Sequence, residues 1–301
     1  MLEFIMMIGP SASGKSTFAN GLSESLGLKV ISSDGLRKEL YGDEAIQGNN
    51  NFLFSQLHKM ILETLEKDES VIFDATNLSR KNRMALLEKI PSGVYKEGVV
   101  VVTPFEKIYE NNKNRLRKVP EEVIRRQLRQ FEMPVYQEGF DGIVLHLPFE
   151  RMYSVLEVLK MMQNFEQDNP NHSLDLLNHC ASTCGNLLLK EMDLDLNLLS
   201  AAMFHDIGKV FTKTFKNMKG EETDIAHYYS HNNVGSYFSL LIEFGSTMRN
   251  EDKIEIAQLI CYHMQPYFCK SEKAMKRWEE RLGSELWEKI LKLHEADKQA
   301  H

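Results

Sequence analysis

The stretch Gly9-Pro10-Ser11-Ala12-Ser13-Gly14-Lys15-Ser16-Thr17 decides the fold of the first half of the chain. It reads G-x-x-x-x-G-K-S and directly follows the apolar run Leu2 to Ile8. Strand, glycine loop and helix start form the context in which this spacing has a mechanism. Gly9 and Gly14 permit backbone angles that turn the N–H groups of Ser11, Ala12, Ser13 and their neighbours toward one point. The helix starting near Lys15 adds its positive end, so a polyphosphate is held without side chains. Lys15 brings a point charge to the β- and γ-phosphates. Ser16 brings a hydroxyl to Mg²⁺, and Thr17 completes the stretch. Four fixed positions of this kind arise by chance about once in a hundred such chains, given glycine at about 7%. The expectation is a site for ATP with Mg²⁺.

Composition bounds the rest. At 301 residues the chain has room for two domains. Residues 1–150 carry 19 Lys+Arg against 21 Asp+Glu, and the remainder 17 against 22, which gives the total of −7. A nucleic-acid partner would therefore need a local basic patch rather than a generally basic surface. Of the ten histidines only His58 and His146 precede residue 170. Cys180, Cys184, Cys261 and Cys269 form no CxxC pair, which suits free thiols in a reducing cytoplasm. No apolar run is long enough for a signal peptide or a membrane span. The expected localisation is cytoplasmic, with no membrane partner.

Working outward from the loop, Leu2 to Ile8 is a buried parallel strand, and a helix runs from Lys15 to about Leu26. A second strand, Leu28 to Ile31, delivers Ser32-Ser33-Asp34. Ligands of open α/β sheets sit beyond the carboxyl ends of strands, so Asp34 is placed near the γ-phosphate. There it reads as a general base for an attacking hydroxyl, or as the N-cap of the following helix. Arg37, one turn on, is a candidate ligand for an acceptor phosphate. A long helix spans Asn50 to Glu66. The third strand, Ser70 to Asp74, ends in an acid suited to the Mg²⁺ water shell or to the acceptor. A helix at Arg80–Ile90 and strands at Val94–Val102 and Ile143–Leu147 complete the half. One basic patch runs from Lys107 to Arg129 and includes Arg115, Arg117 and Arg126. Pro120 with Glu121 and Glu122 starts a helix on which Arg125 and Arg129 share a face. Arginines so placed neutralise charge on a moving phosphoryl group.

Over residues 1–150 these segments resemble the phage-type polynucleotide 5′-kinase family. The resemblance rests on GPSASGKST, SSDGLRKEL, FDATNLSRKNR and VPEEVIRRQLRQF…PVYQEGFDG. It implies that Lys15 and Ser16 hold phosphates and Mg²⁺ and that Asp34 is the base. It implies further that Arg37 and Thr76 contact the phosphate beside the acceptor end, and that Arg125 is the lid arginine on the donor.

The second half reads as all-α. A bridging helix covers about 150–166, and helices follow at about 172–190, 196–206, 226–243, 251–264, 271–281 and 283–297. His179, the pair His205-Asp206, His231, His263 and Asp297 fall on successive helices. Imidazole and carboxylate on facing helices suit divalent transition metals, and a carboxylate can bridge two ions. The order H…HD…H…H…D, with HDIGK its most specific piece, resembles the HD phosphohydrolase superfamily over about 165–301. The resemblance implies a primary site of His179, His205, Asp206 and Asp297, with His231 and His263 completing a second. Lys209 would face a substrate phosphate, and His172 is a further possible ligand or phosphate contact. Mn, Co, Ni, Zn and Fe all suit such ligands.

The expected architecture is thus an α/β P-loop domain over 1–150 followed by an all-α domain over 151–301. The pairing resembles bifunctional polynucleotide kinase–phosphatases, in which the two domains come in the opposite order. It implies healing of RNA (or DNA) ends. ATP would phosphorylate a 5′-hydroxyl, and the metal centre would hydrolyse a 2′,3′-cyclic, 2′- or 3′-phosphate, with an RNA ligase acting downstream. Two other readings stay open. One is a nucleoside or metabolite kinase fused to a nucleotide phosphohydrolase. The other is an ATP-binding switch that regulates the metal domain, for which an acceptor base such as Asp34 would have no use.

Overall fold

The computed structural model describes every residue except 45, 47, 150–151, 171–173, 191–194 and 301. The chain divides into two compact units, Met1–Gln127 with Pro134–Phe149, and Leu128–Met133 with Glu150–His301.

The first unit is built on a five-stranded sheet of order β2-β3-β1-β4-β5. Its strands are β1 (Glu3–Ile8), β2 (Lys29–Ser32), β3 (Val71–Asp74), β4 (Tyr95–Val101) and β5 (Gly142–His146). Every pairing is parallel, with Phe4 opposite Val71 and Glu3 opposite Tyr95. Phe4 to Ile8 and Val71 to Phe73 are all buried, as expected of strands covered on both faces. The helices are α1 (Lys15–Leu26), α2 (Ser33–Tyr41), α3 (Asn50–Leu65), α4 (Arg80–Leu87), α5 (Phe105–Asn114) and α6 (Glu121–Arg129). The parallel order places the carboxyl ends of β1, β2 and β3 along one edge. Gly9, Asp34 and Asp74 all leave the sheet there.

Ser32, not Asp34, caps α2, because its side chain accepts from the Gly35 N–H at 2.9 Å. Asp34 lies in the first turn, and its carboxylate is free of capping duty. Behind the β3 edge, the fully buried Arg83 makes a two-pronged ion pair with Glu138, both contacts at 2.7 Å. The same guanidinium donates to the carbonyls of Asn77 and Leu78 at 3.1 and 2.9 Å, fixing the loop that carries Thr76.

The second unit is mainly helical. Its helices are α7 (Val155–Met162), α8 (Leu176–Lys190), α9 (Leu196–Phe204), α10 (Lys209–Thr212), α11 (His231–Ser239), α12 (Asn250–Tyr262), α13 (Gln265–Phe268), α14 (Glu272–Leu282) and α15 (Ser284–Lys298). The all-α expectation needs correction, since two small sheets are present. Strands β6 (Tyr153–Ser154) and β9 (Ile242–Glu243) pair in parallel, and β7 (Thr214–Lys216) and β8 (Glu222–His227) form an antiparallel ribbon. The helix expected over 226–243 is therefore only its central part. Strand β8 takes the first two residues of that span and β9 the last two, and Asn217 makes the turn of the ribbon. Its side-chain oxygen accepts from the N–H groups of Lys219 and Glu221, and Gly220 sits at φ 85, so the chain reverses there into a hairpin. The bridging helix is also shorter than expected, because Ser154 and Glu157 form a capping box that starts α7 at Val155.

Candidate active sites

In the first unit, Gly9 to Ser16 close around one point. A Cβ on Gly9 would lie 2.7 Å from the carbonyl oxygen of Val101, so only glycine lets the loop approach the end of β4. Gly14 (φ 94) and Ala12 (φ 64) both take left-handed backbone. For alanine this is a strained conformation that the surrounding loop must enforce. The loop is held from outside. Asn77 donates to the Met7 carbonyl at 2.8 Å, Thr103 to the Ser13 carbonyl at 2.9 Å, and Asn111 to the Ala12 carbonyl at 3.1 Å. The Thr76 carbonyl accepts from Gly9 at 3.0 Å.

The Lys15 ammonium is buried and donates to the Pro10 carbonyl at 2.6 Å. Burial pushes its pKa down to about 8, against the opposing pull of the Asp74 carboxylate. Ser16 Oγ donates to Asp74 Oδ2 at 2.6 Å. A hydroxyl and a carboxylate in contact beside a phosphate loop are a suitable pair for Mg²⁺ and its waters. Of the two roles open to Asp74, this contact favours the Mg²⁺ side.

Asp34 sits among arginines. Its Oδ1 lies 2.9 Å from Arg117 and 3.2 Å from Arg37, and its Oδ2 3.9 Å from Arg115. Asp34 and Arg115 both lie near enough to shift the Lys15 ammonium. Arg37 is buried, donates to Asn50 at 3.2 Å, and has an Nε with no hydrogen-bond partner. Arg125 lies elsewhere. It is exposed, 3.9 Å from Glu121 and hydrogen-bonded to Tyr109. The α6 side chain that reaches the loop is Gln127, whose Oε1 accepts from the Ser11 N–H at 2.8 Å. Nothing local in the sequence marks Gln127, and Arg115 and Arg117 read there only as part of a basic patch.

In the second unit, six side chains drawn from α8, the turn after α9, α11, the end of α12 and α15 converge. All six are buried. Asp206 is their centre. Its Oδ2 lies 3.5 Å from Nε2 of both His179 and His205. Its Oδ1 lies 3.1 Å from His231 Nε2 and 3.7 Å from His263 Nε2. Asp297 Oδ1 closes the first side, 3.0 Å from His179 and 3.4 Å from His205. Two groups result, His179-His205-Asp206 and Asp206-His231-His263, each with ligand atoms within 4.8 Å of one another. His172 lies outside the described residues.

This arrangement fits divalent metals. A carbonyl can only accept, so each Nδ1 facing one must carry the proton. His205, His231 and His263 direct Nδ1 to the carbonyls of Ala202, Tyr228 and Ile260 at 2.8, 2.9 and 2.8 Å. Their Nε2 lone pairs therefore point inward, and these buried atoms make no hydrogen bond. Ligand imidazoles are oriented in just this way by an outer partner. Burial opposes charge on Asp206, but its surroundings, the Lys209 ammonium foremost, outweigh it and hold the carboxyl well below the usual carboxylate range. Burial pushes His263 down to about 3, leaving a neutral imidazole ready to ligate.

Lys209 is buried, with Nζ 2.7 Å from both Asp206 Oδ2 and Gln167 Oε1. Gly208 explains how α11 comes close enough. A Cβ there would meet the His231 carbonyl oxygen at 1.9 Å and the Gly235 nitrogen at 2.6 Å. The glycine of HDIGK thus lets backbone touch backbone, which carries His231 to Asp206.

Among known families, residues 4–134 match one described as an AAA domain, which is less than half of the chain. No curated protein matches. Among solved structures the chain is similar to a sugar kinase from Janibacter sp., at 19% identity over 49% of this chain and 86% of that one, with a TM-score of 0.39. It is similar to a chain of the Pnkp1/Rnl/Hen1 RNA repair complex, at 18% identity over 43% of each, TM-score 0.40. It is also similar to Kti12 from Chaetomium thermophilum in complex with ADP-AlF3, at 20% identity over 48% of this chain and 89% of that one, TM-score 0.40. Among the described residues no helix is long and apolar enough to cross a membrane. With its parallel sheet, glycine loop and matched family, the first unit is a P-loop kinase-like α/β domain, a fold that implies ATP binding with Mg²⁺.

Proposed function

We propose that this chain heals nucleic-acid ends, RNA in the first instance, by adding phosphate at one end and removing it at the other. The reading is carried by one observation. A phosphate-donor loop beside the carboxylate of Asp34 shares a chain with a buried centre of four histidines and two aspartates of the HD type.

In the kinase reaction, the loop and Lys15 hold the ATP phosphates, and Ser16 with Asp74 would hold Mg²⁺. The 5′-hydroxyl oxygen forms a bond to the γ-phosphorus while the bond to the β,γ-bridging oxygen breaks and ADP leaves. The hydroxyl proton passes to Asp34. Arg37, Arg115 and Arg117 around Asp34 supply positive charge for an acceptor that carries a phosphate of its own, as a nucleotide chain does. Thr76, on the loop fixed by Arg83, would contact the same acceptor. Arg125 is the lid group that would approach the donor phosphates when they are bound.

In the hydrolytic reaction, His179, His205, Asp206 and Asp297 would hold one divalent metal, and His231 and His263 a second that shares Asp206. Ions so placed supply an activated water and charge neutralisation on phosphate oxygens. Lys209, anchored between Asp206 and Gln167, holds a substrate phosphate oxygen. Water adds to phosphorus and the bond to the sugar oxygen breaks. A cyclic phosphate opens to a monoester, and a monoester leaves as inorganic phosphate. The resulting 5′-phosphate and free hydroxyl are the ends that a ligase joins.

The test uses one RNA oligonucleotide with a 5′-hydroxyl and a 2′,3′-cyclic phosphate, incubated with enzyme, ATP, Mg²⁺ and a panel of transition metals. Mass spectrometry reads both ends. Phosphate gained at the 5′ end and lost at the other is the expected result. Transfer to free nucleosides or sugars as efficient as to the oligonucleotide would overturn the nucleic-acid reading.

A further inference from the structure

We infer that Tyr267 is the positioning residue for Asp297, fixing which carboxylate oxygen this ligand presents to the histidine centre. The inference rests on the metal reading above and deepens it.

Three of the histidine ligands are oriented from their own chain, each by a carbonyl three residues earlier. Asp206 is held by Lys209 at 2.7 Å. Asp297 is held differently. It sits near the end of α15, with Oδ1 turned to His179 and His205. A carboxylate in that position can rotate and offer either oxygen, or both. The Tyr267 hydroxyl donates to Asp297 Oδ2 at 2.8 Å and takes that second oxygen. That bond holds the carboxylate with Oδ1 toward the centre.

The tyrosine is itself fixed. Its ring packs edge-on against His294, one turn before Asp297 on α15, with centroids 4.3 Å apart. It stands on α13, which begins two residues after His263. The segment that ends in one ligand, His263, therefore carries the clamp for another, Asp297. Outer partners of metal ligands typically carry 10- to 100-fold in metal affinity, and a clamp that selects one oxygen of Asp297 acts on one of the two groups. The group of His231 and His263 does not include Asp297.

The experiment is a Co²⁺ titration of the full chain, followed by calorimetry and by the visible spectrum of bound Co²⁺. Tyr267→Phe keeps the ring against His294 and removes only the hydroxyl. We expect the binding event at His179, His205, Asp206 and Asp297 to weaken by about 10- to 100-fold. Its spectrum should change, while the event at His231 and His263 keeps its affinity. In an Asp297→Ala background, Tyr267→Phe should then change nothing further. Equal affinity and spectrum in wild type and Tyr267→Phe would overturn the inference. So would a loss that persists undiminished in the Asp297→Ala background, since that would mark a general structural role. Wild-type protein that binds no Co²⁺ would instead overturn the metal reading itself.

Discussion

The phosphate loop takes its groups from one short run, Gly9 to Ser16, whereas the histidine centre takes six side chains from His179 to Asp297. The loop is made mostly of backbone, and its shape is dictated locally by where glycine stands. The centre is made of side chains, and its shape depends on how five segments pack. A change within the loop should therefore stay within the loop. A change at a packing contact far from any ligand should be felt throughout the centre. The two sites also differ in how they meet charge. The loop offers dipoles and one buried ammonium to an anion. The centre offers carboxylates and imidazole lone pairs to cations.

The largest effect that can break this contrast is at Asp206, the ligand common to both groups. Asp206→Ala should abolish end hydrolysis and most metal uptake, while phosphate transfer from ATP stays at the wild-type rate. Parallel loss of transfer would mean that the two sites do not work independently. The mirror experiment is Asp34→Ala. Removing a general base should slow transfer by about 10²–10⁴-fold, with ATP affinity nearly intact and hydrolysis unchanged. Transfer at the wild-type rate would remove Asp34 from the mechanism.

These two residues also show what could be read from the sequence. The loop, the strand ends at Asp34 and Asp74 and the order of the first-half elements follow from local signals, because glycine, strand hydrophobicity and capping act over a few residues. The six metal-ligand candidates could be singled out by their types and order. Their convergence could not, because it depends on a contact between Gly208 and Gly235 that no periodicity encodes. Tyr267 carried no signal at all, being one tyrosine on a short helix. Arg117 was visible as charge but not as a partner of Asp34, since the pairing spans the sheet edge from β2 to the loop after α5. The hairpin of β7 and β8 falls almost wholly between the expected helices at 196–206 and 226–243, and it carries little sequence signal because its turn depends on one asparagine side chain.

Two glycines sharpen the contrast with a smaller effect. Gly208→Ala places a methyl against the His231 carbonyl and must push α11 away. Overpacking of this kind typically destabilises by about 1–3 kcal/mol, and the displaced His231 should also weaken metal binding. Gly9→Ala meets the Val101 carbonyl oxygen at 2.7 Å and should weaken ATP binding instead. Thermal denaturation with and without each ligand separates the two. Gly208→Ala should lower the melting temperature and blunt the shift on adding metal, while its shift on adding ATP stays as in wild type. Gly9→Ala should show the reverse pattern. If both variants lose both shifts, the division into a local site and a packing-dependent site fails.

The smallest effect concerns the one ammonium in the loop. Burial brings the Lys15 pKa from its ordinary 10.5 down to about 8. Phosphate binds the charged form, so ATP affinity should be level below pH 8 and fall by up to about tenfold per pH unit above it. Binding above pH 8 should also take up a proton, visible as a calorimetric enthalpy that varies with the buffer's ionisation heat. The stability consequence has the opposite sign. A lysine whose folded pKa lies below its unfolded value makes the unfolded chain the better proton binder between pH 8 and 10.5, so stability from this group rises with pH across that window. Lys15→Met should remove both trends, flattening the pH dependence of stability and leaving ATP weakly bound at every pH. An ATP affinity that holds level from pH 7 to 10 in the wild-type protein would show that binding leaves the proton affinity of Lys15 unchanged, and would overturn the prediction. The pH at which affinity begins to fall therefore reports the Lys15 pKa in the free protein, and the pH at which the fall levels off reports it in the complex, so the interval between them measures how much of the burial penalty the phosphates offset.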